Sequence, residues 1–177
     1  MHNIPYQPLF ISRFLFSDRR VSILWLLIRV YVGWQWLSAG WGKFTNPVWW
    51  GSDAGGAMRG FVQGALKKTS GDHPDVQGWY AAFLENVVLP NATLWSHMIT
   101  LGELLVGVAL IVGFLVGVAA FFGAFMNLNF LLAGTVSINP TLFTLGILLV
   151  LAWRVAGYIG LDYYVLPKLQ KFFGGKK

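Results

Sequence analysis

The chain has 177 residues, 56% apolar and only 11% charged, with a mean hydropathy of +0.60; soluble domains carry about 25% charged residues, so the composition speaks for a single membrane domain. The net charge of +6, in so apolar a chain, marks cytoplasmic loops and anionic lipid headgroups rather than nucleic acid. With no cysteine, disulfides, iron–sulfur clusters, thiolate zinc sites and a protein-borne persulfide are excluded.

Residues 1–20 are mixed and carry Arg13, Arg19 and Arg20. The first long apolar run follows, with no small-residue cleavage site after it, and is read as a retained span at about 21–44. Its only internal charges are Arg29 and Lys43. A helix of about 20 residues crosses a hydrocarbon core of roughly 30 Å. The stretch 93–136 is apolar again, with Glu103 its one charge. It is too long for one crossing, and Gly113-Phe-Leu-Val-Gly117 is the expected turn between spans at about 93–113 and 117–136. Asn139-Pro140 opens a fourth span at about 141–162, proline suiting a first helical turn.

Orientation follows from the cations near span ends. The N-terminal segment holds three (Arg13, Arg19, Arg20) and the C-terminal tail four (Lys168, Lys171, Lys176, Lys177). The loop 45–91 with Lys43 before it holds four cations against four acids. Both termini are therefore expected in the cytoplasm, in a cell membrane. Trp41, Trp49, Trp50 and Trp95 would mark the outer interface, and Tyr163 and Tyr164 the inner one. The loop itself is too apolar for a connector. Met58, Phe61, Val62, Ala65 and Leu66 fall at helical spacing, as do Val76, Trp79, Tyr80, Phe83 and Val87, predicting two short amphipathic helices on the outer surface or a cap over the bundle.

The expected fold is thus an all-α, four-helix membrane bundle, N-in and C-in, as one domain over 1–177. Counted from the span ends at ~1.5 Å per residue, Arg29, Glu103, Asn127, Asn129 and Arg154 all come within a few ångströms of the midplane. Small residues share their stripes: Gly33 and Gly40 with Arg29, Trp36 and Lys43; Gly107 with Glu103; Gly123 with Asn127. Such stripes favour close helix approach and should face the interior. A buried Arg or Glu costs about 2.5–3.5 kcal/mol on insertion scales, so an Arg29–Glu103 pair is the expected compensation, serving chemistry or merely helix packing. Arg154 either adds an unbalanced cation inside the bundle or snorkels to the headgroups and pairs with Asp162. His2, His73 and His97 lack metal-ligand spacing, and no metal is expected.

The segment from Arg29 to Lys43, RVYVGWQWLSAGWGK, resembles the first-helix signature of the DoxX/DoxD membrane proteins. Gly102-Glu103 through Gly113 resembles their second-helix segment. Met126-Asn-Leu-Asn-Phe-Leu-Leu-Ala-Gly134, Asn139-Pro140 and Gly157-Tyr-Ile-Gly-Leu-Asp162 are similar to the DoxD-like branch related to thiosulfate:quinone oxidoreductase. The resemblance implies a four-helix membrane fold and a membrane subunit that passes electrons from thiosulfate, giving tetrathionate, to a quinone such as ubiquinone or menaquinone, beside a second redox subunit. In that setting Glu103 and Arg29 are the candidate catalytic residues. Asn127, Asn129, Arg154, Trp36 and Lys43 are the candidate ligand-binding residues, Lys43 for a dianionic donor. The other readings are a non-enzymatic scaffold docking a soluble redox protein through the outer loop, and a small transporter subunit. A homo-oligomer is compatible with all three.

Overall fold

The structure, a computed structural model, describes residues 10–173, whose regular elements are all helical. His2, Lys176 and Lys177 lie outside the described residues. A short helix α1 (Phe10–Ser17) precedes α2 (Ser22–Phe44). Three further elements, α3 (Pro47–Trp50), α4 (Gly56–Leu66) and α5 (Gly78–Phe83), build a cap. Then come α6 (Ala92–Val112), α7 (Val116–Leu132), α8 (Asn139–Leu151), α9 (Trp153–Ala156) and α10 (Asp162–Phe173).

The long apolar helices pack side by side in the order α2, α6, α7, α8, and α8 and α9 return to α2 and close the ring. Glycine sets the tightest of these contacts. A Cβ on Gly107 would stand 2.5 Å from the backbone nitrogen of Leu37, and one on Gly40 would stand 2.8 Å from that of Leu104. One on Gly33 would meet Ile111 at 2.9 Å. The backbones of α2 and α6 therefore touch, in an antiparallel register that runs from Gly40 beside Glu103 and Leu104 to Gly33 beside Leu110 and Ile111. Small residues do the same for α7 and α8, where Gly146 lies against Ala124. Close backbone approach gains dispersion contact over the whole helix length, which is the main association force where both surroundings and side chains are apolar.

The outward surface is apolar as well. Leu27, Trp34, Leu105, Phe122 and Phe125 are all more than half exposed. A helix that is apolar all round suits a lipid environment. Two continuous helical stretches, Arg19–Phe44 and Gly78–Val112, are long and apolar enough to cross a membrane.

The cap has its own core of Met58, Val62, Ala65, Val76, Tyr80, Leu84 and Val88, all buried. The helical spacing seen in the loop is thus realised as a packed cap rather than as helices lying free. Trp79 and Val87 point outward, and Leu84 and Val88 take the buried positions instead. From Leu84 to Val88 the helix is π-helical, and its wider turn keeps Leu84 and Val88, four residues apart, on the buried face. Hydrogen bonds tie the cap to the bundle. Ser96 donates to the Trp49 carbonyl at 2.7 Å, Thr93 donates to the Ala54 carbonyl at 2.9 Å, and Lys68 donates to the Gly134 carbonyl.

At the opposite end, the turn Gly113–Leu115 links α6 to α7, with Gly113 at φ 73° and Leu115 at φ 45°. Left-handed backbone is costly for a leucine. Asp162 offsets it, accepting from the Leu115 N–H at 2.6 Å and the Val116 N–H at 2.9 Å, and so capping the start of α7 from 46 residues away. The fourth expected span does not run as one helix to residue 162. It is interrupted at Ala152, and the chain turns at Gly157, where only a glycine leaves room for the Asp162 carboxylate, 2.6 Å from the missing Cβ. Asp162→Ala is expected to lose about 1–2 kcal/mol of stability by uncapping α7, read as a lowered thermal midpoint in detergent. Asp162→Asn, which keeps one acceptor, should lose less.

Candidate functional site

The polar layer of the bundle is built on Glu103. Its carboxylate is 1% exposed at residue level and accepts from Lys43 Nζ through both oxygens, at 2.9 and 2.7 Å. Lys43 lies one turn beyond Gly40 on α2, and the missing Cβ of Gly40 lets the two helices approach closely enough for the lysine to reach back to the acid. The ammonium also stands 5.2 Å from the ring centre of Trp49 in the cap, where the ring face favours the cation. Two oxygens on one ammonium and a ring beside it make this a closed, neutral pair.

Asn127 shares that layer. A Cβ on Gly123 would lie 3.0 Å from Trp36 Nε1 and 3.2 Å from Val106, which places these three residues side by side on α7, α2 and α6. One turn toward the cap from each stand Asn127, Gly40 and Glu103. Asn127 is completely buried, and neither its amide oxygen nor its amide nitrogen has a hydrogen-bond partner among the described residues. An unmet buried amide costs about 1–3 kcal/mol, so its retention at that point needs a reason beyond packing.

The expected Arg29–Glu103 pair is not formed. The α2–α6 register puts Arg29 beside the Gly113 turn, roughly 16 Å along α2 from Gly40. There its guanidinium is buried and donates to the carbonyls of Ala156, at 3.0 Å, and Ile159, at 2.9 Å. Gly113 and Gly160 are glycines because a Cβ at either would strike the guanidinium. Arg29 thus ties the end of α9 to α2, a position where a cation also meets the negative end of a helix. Counting depth from assumed span ends placed Arg29 and Glu103 at one level. The helices are staggered instead, and the pairing changes partner.

Arg154 is exposed, 5.1 Å from the ring of Trp153, and adds no charge to the interior. Its other candidate partner, Asp162, is taken by the backbone of α7. Trp36 is buried in the core, 6.5 Å from Phe130 between ring centres. Asn129 does not face the bundle axis. Tyr80 donates to its backbone carbonyl at 3.0 Å and its side-chain oxygen at 3.1 Å, while Asn129 Nδ2 donates to the Phe125 carbonyl. Tyr80 and the π-helical segment had no functional signal in the sequence. Tyr80 is one aromatic in an amphipathic pattern, and its reach to a residue 49 positions on belongs to the tertiary fold.

Two hollows adjoin this chemistry. A cavity of about 140 Å³ lies between the cap, α6 and α7, walled by aromatic rings including Phe61, Phe83, Trp95 and Phe130, with Tyr80 and Asn129 as its polar members. A groove of about 530 Å³ runs along the outside of α6 and α7, among Leu105, Ala109, Val118 and Phe122. Among the described residues no group of three or more His, Cys, Asp or Glu is placed to hold a metal ion.

A helical protein with apolar outer surfaces, two stretches able to cross a membrane and one closed ion pair inside is a membrane protein of compact type. The chain belongs to the DoxX family, whose family model matches residues 24–138, from the start of α2 to the end of the α7–α8 connection. No curated protein and no solved structure matches the chain.

Proposed function

We propose that this protein is a quinone-interacting membrane subunit of an oxidoreductase, crossing the cell membrane four times with both termini in the cytoplasm. The observation that carries the functional reading is the layer of Glu103 and Asn127, a buried carboxylate at the level of a buried amide that has no partner. Reduction of a quinone to a quinol takes up two electrons and two protons. Glu103 is the group in this layer able to pass a proton, drawn through Lys43, which is partly exposed at the cap end. Asn127 keeps an amide without a hydrogen-bond partner in that layer. Asn129, Trp36 and Arg29 support the reading less directly, Arg29 by holding the far end closed.

The four-span reading rests on lengths. At 1.5 Å per residue α7 is about 26 Å long, and α8 with α9 about 27 Å, close to the hydrocarbon thickness. Arg13, Arg19, Arg20, Lys168 and Lys171 gather at the end opposite the cap, as cytoplasmic cations do. With no cysteine in the chain, oxidation of a sulfur donor such as thiosulfate, two of which yield tetrathionate and two electrons, falls to a second redox subunit.

The test is quenching of the intrinsic tryptophan fluorescence of the protein in lipid nanodiscs by ubiquinone and by menaquinone, followed by quinol formation with a thiosulfate-oxidising partner. Saturable quenching is expected. Glu103→Gln should leave it in place and slow quinol formation by tenfold or more. Absence of saturable quenching by any quinone overturns the reading and leaves a scaffold that docks a redox partner through its cap.

A further inference from the structure

The quinone reading leaves open where the ring sits. The layer of Glu103 and Asn127 is tightly packed, and the two hollows beside it are not. Four residues, Trp95, Ile99, Phe125 and Met126, line both the cavity and the groove, so the two adjoin across one shared wall. Its outer part opens along α6 and α7, where Leu105 is 68% exposed. Its inner part ends under the cap at Tyr80 and Asn129.

The proportions select the occupant. Small-molecule pockets begin at roughly 300 Å³, so a cavity of about 140 Å³ holds a single small ring and little else. The adjoining groove of about 530 Å³ is almost wholly apolar and calls for a long hydrocarbon. A compact soluble substrate leaves the apolar groove empty. A flat head on an apolar tail matches the two parts together.

The polar end matches a head with two redox states. Asn129 Nδ2 carries two protons and gives one to the Phe125 carbonyl, leaving one for an acceptor. Tyr80 donates its hydroxyl proton to Asn129, which leaves the phenolic oxygen able to accept. A quinone carbonyl takes the Asn129 proton, and a quinol hydroxyl gives its proton to Tyr80. The wall nearest Tyr80 is the π-helical stretch, through Leu84 and Val88. That form interrupts the regular α-helical hydrogen bonding and is frequent at functional sites. Met126 lies in the wall next to Asn127 in the chain, which brings the cavity beside the polar layer.

We propose, resting on the quinone reading, that an isoprenoid quinone enters from the bilayer between α6 and α7, leaves its tail in that groove, and seats its ring under the cap against Tyr80 and Asn129.

The experiment uses the full chain in nanodiscs with a photoreactive azido-ubiquinone bearing an isoprenoid tail, with labelled peptides identified by mass spectrometry. Label is expected on α5 and on the facing segments of α6 and α7, around Tyr80, Trp95 and Phe125–Phe130. Tyr80→Phe and Asn129→Leu should each weaken binding by about five- to tenfold, the worth of one hydrogen bond. Ile99→Trp, filling the junction of groove and cavity, should abolish it, and near-ultraviolet circular dichroism reports whether that variant is folded. A tail-less benzoquinone should bind far more weakly. Saturable binding with label elsewhere, or with unchanged affinity in Tyr80→Phe and Asn129→Leu, overturns this site and leaves the quinone reading standing. Displacement of the probe by phospholipid alone, with no preference for a quinone head, assigns the groove to a structural lipid and also overturns it. No saturable binding of any quinone removes both.

Discussion

Replacing Lys43 with alanine is expected to lower the stability of the protein by about 3–4 kcal/mol, and Glu103→Gln by only about 1 kcal/mol. The asymmetry follows from burial. Removing one partner of a buried pair costs about 3–5 kcal/mol because the other charge is stranded. Lys43 is 21% exposed along its side chain and Glu103 is 2% exposed, so the two stranded charges differ. Without Lys43 the carboxylate has no route to water and must take up a proton or drag water inward. Without the carboxylate charge, Lys43 keeps the glutamine oxygen as an acceptor, keeps the ring of Trp49, and can turn its ammonium outward, which lowers the cost toward the range of an exposed pair. The double replacement Lys43→Met with Glu103→Leu should recover most of the loss, since apolar substitutes of similar volume are often neutral at such sites. Reversible unfolding in mixed micelles measures all three. Equal losses for the two single variants would show that the pair is more symmetrically solvated than its exposures indicate.

Gly107→Ala and Gly64→Ala make the same chemical change on two helices and are expected to act in opposite directions. On α6 the new methyl group would stand 2.5 Å from the Leu37 backbone nitrogen and 2.7 Å from its Cα. Backbone cannot swing aside as a side chain does. The two helices must separate, and contact is lost along the seam that also aligns Lys43 with Glu103. Overpacking of this kind costs about 1–3 kcal/mol, and the upper end applies here. On α4 the Gly64 position has open space around it, and alanine gains about 0.8–1 kcal/mol over glycine in a helix interior. Thermal midpoints in detergent should fall for the first and rise for the second. If Gly107→Ala leaves the midpoint unmoved, the helices do not touch there.

Much of the candidate site was legible by residue type. Glu103, Lys43 and Asn127 stood out because each is a polar group in a long apolar run, and small residues at helical spacing marked the faces that turn inward. What could not be read was who meets whom. Arg29 and Glu103 seemed natural partners only because depth was counted from uncertain span ends. An error of a few residues at each end is small for a helix boundary and large for a contact, since one turn covers about 5.4 Å. The glycine register of α2 against α6 sets the stagger, and it delivers Lys43 to Glu103 and Arg29 to the carbonyls at the other end. Arg154 was undecided for the same reason. The break at Ala152 and the turn at Gly157 decide its direction, and the turn leaves room for Asp162 to reach the start of α7.

The sequence by itself determined the all-helical class, the placement of helices between loops, the apolar outer surface and the family, because these follow from composition, from the 3.6-residue period and from the order of family-like motifs along one chain. Only the tertiary structure decided the ion pair, the capping of α7 by Asp162, the contact of Tyr80 with Asn129 and the hollow beneath the cap. The three contacts join residues 46 to 60 positions apart. Such contacts depend on how closely two backbones approach and in what stagger, and a change of one residue in register moves every side chain on the seam by 1.5 Å along the axis and about 100° around it.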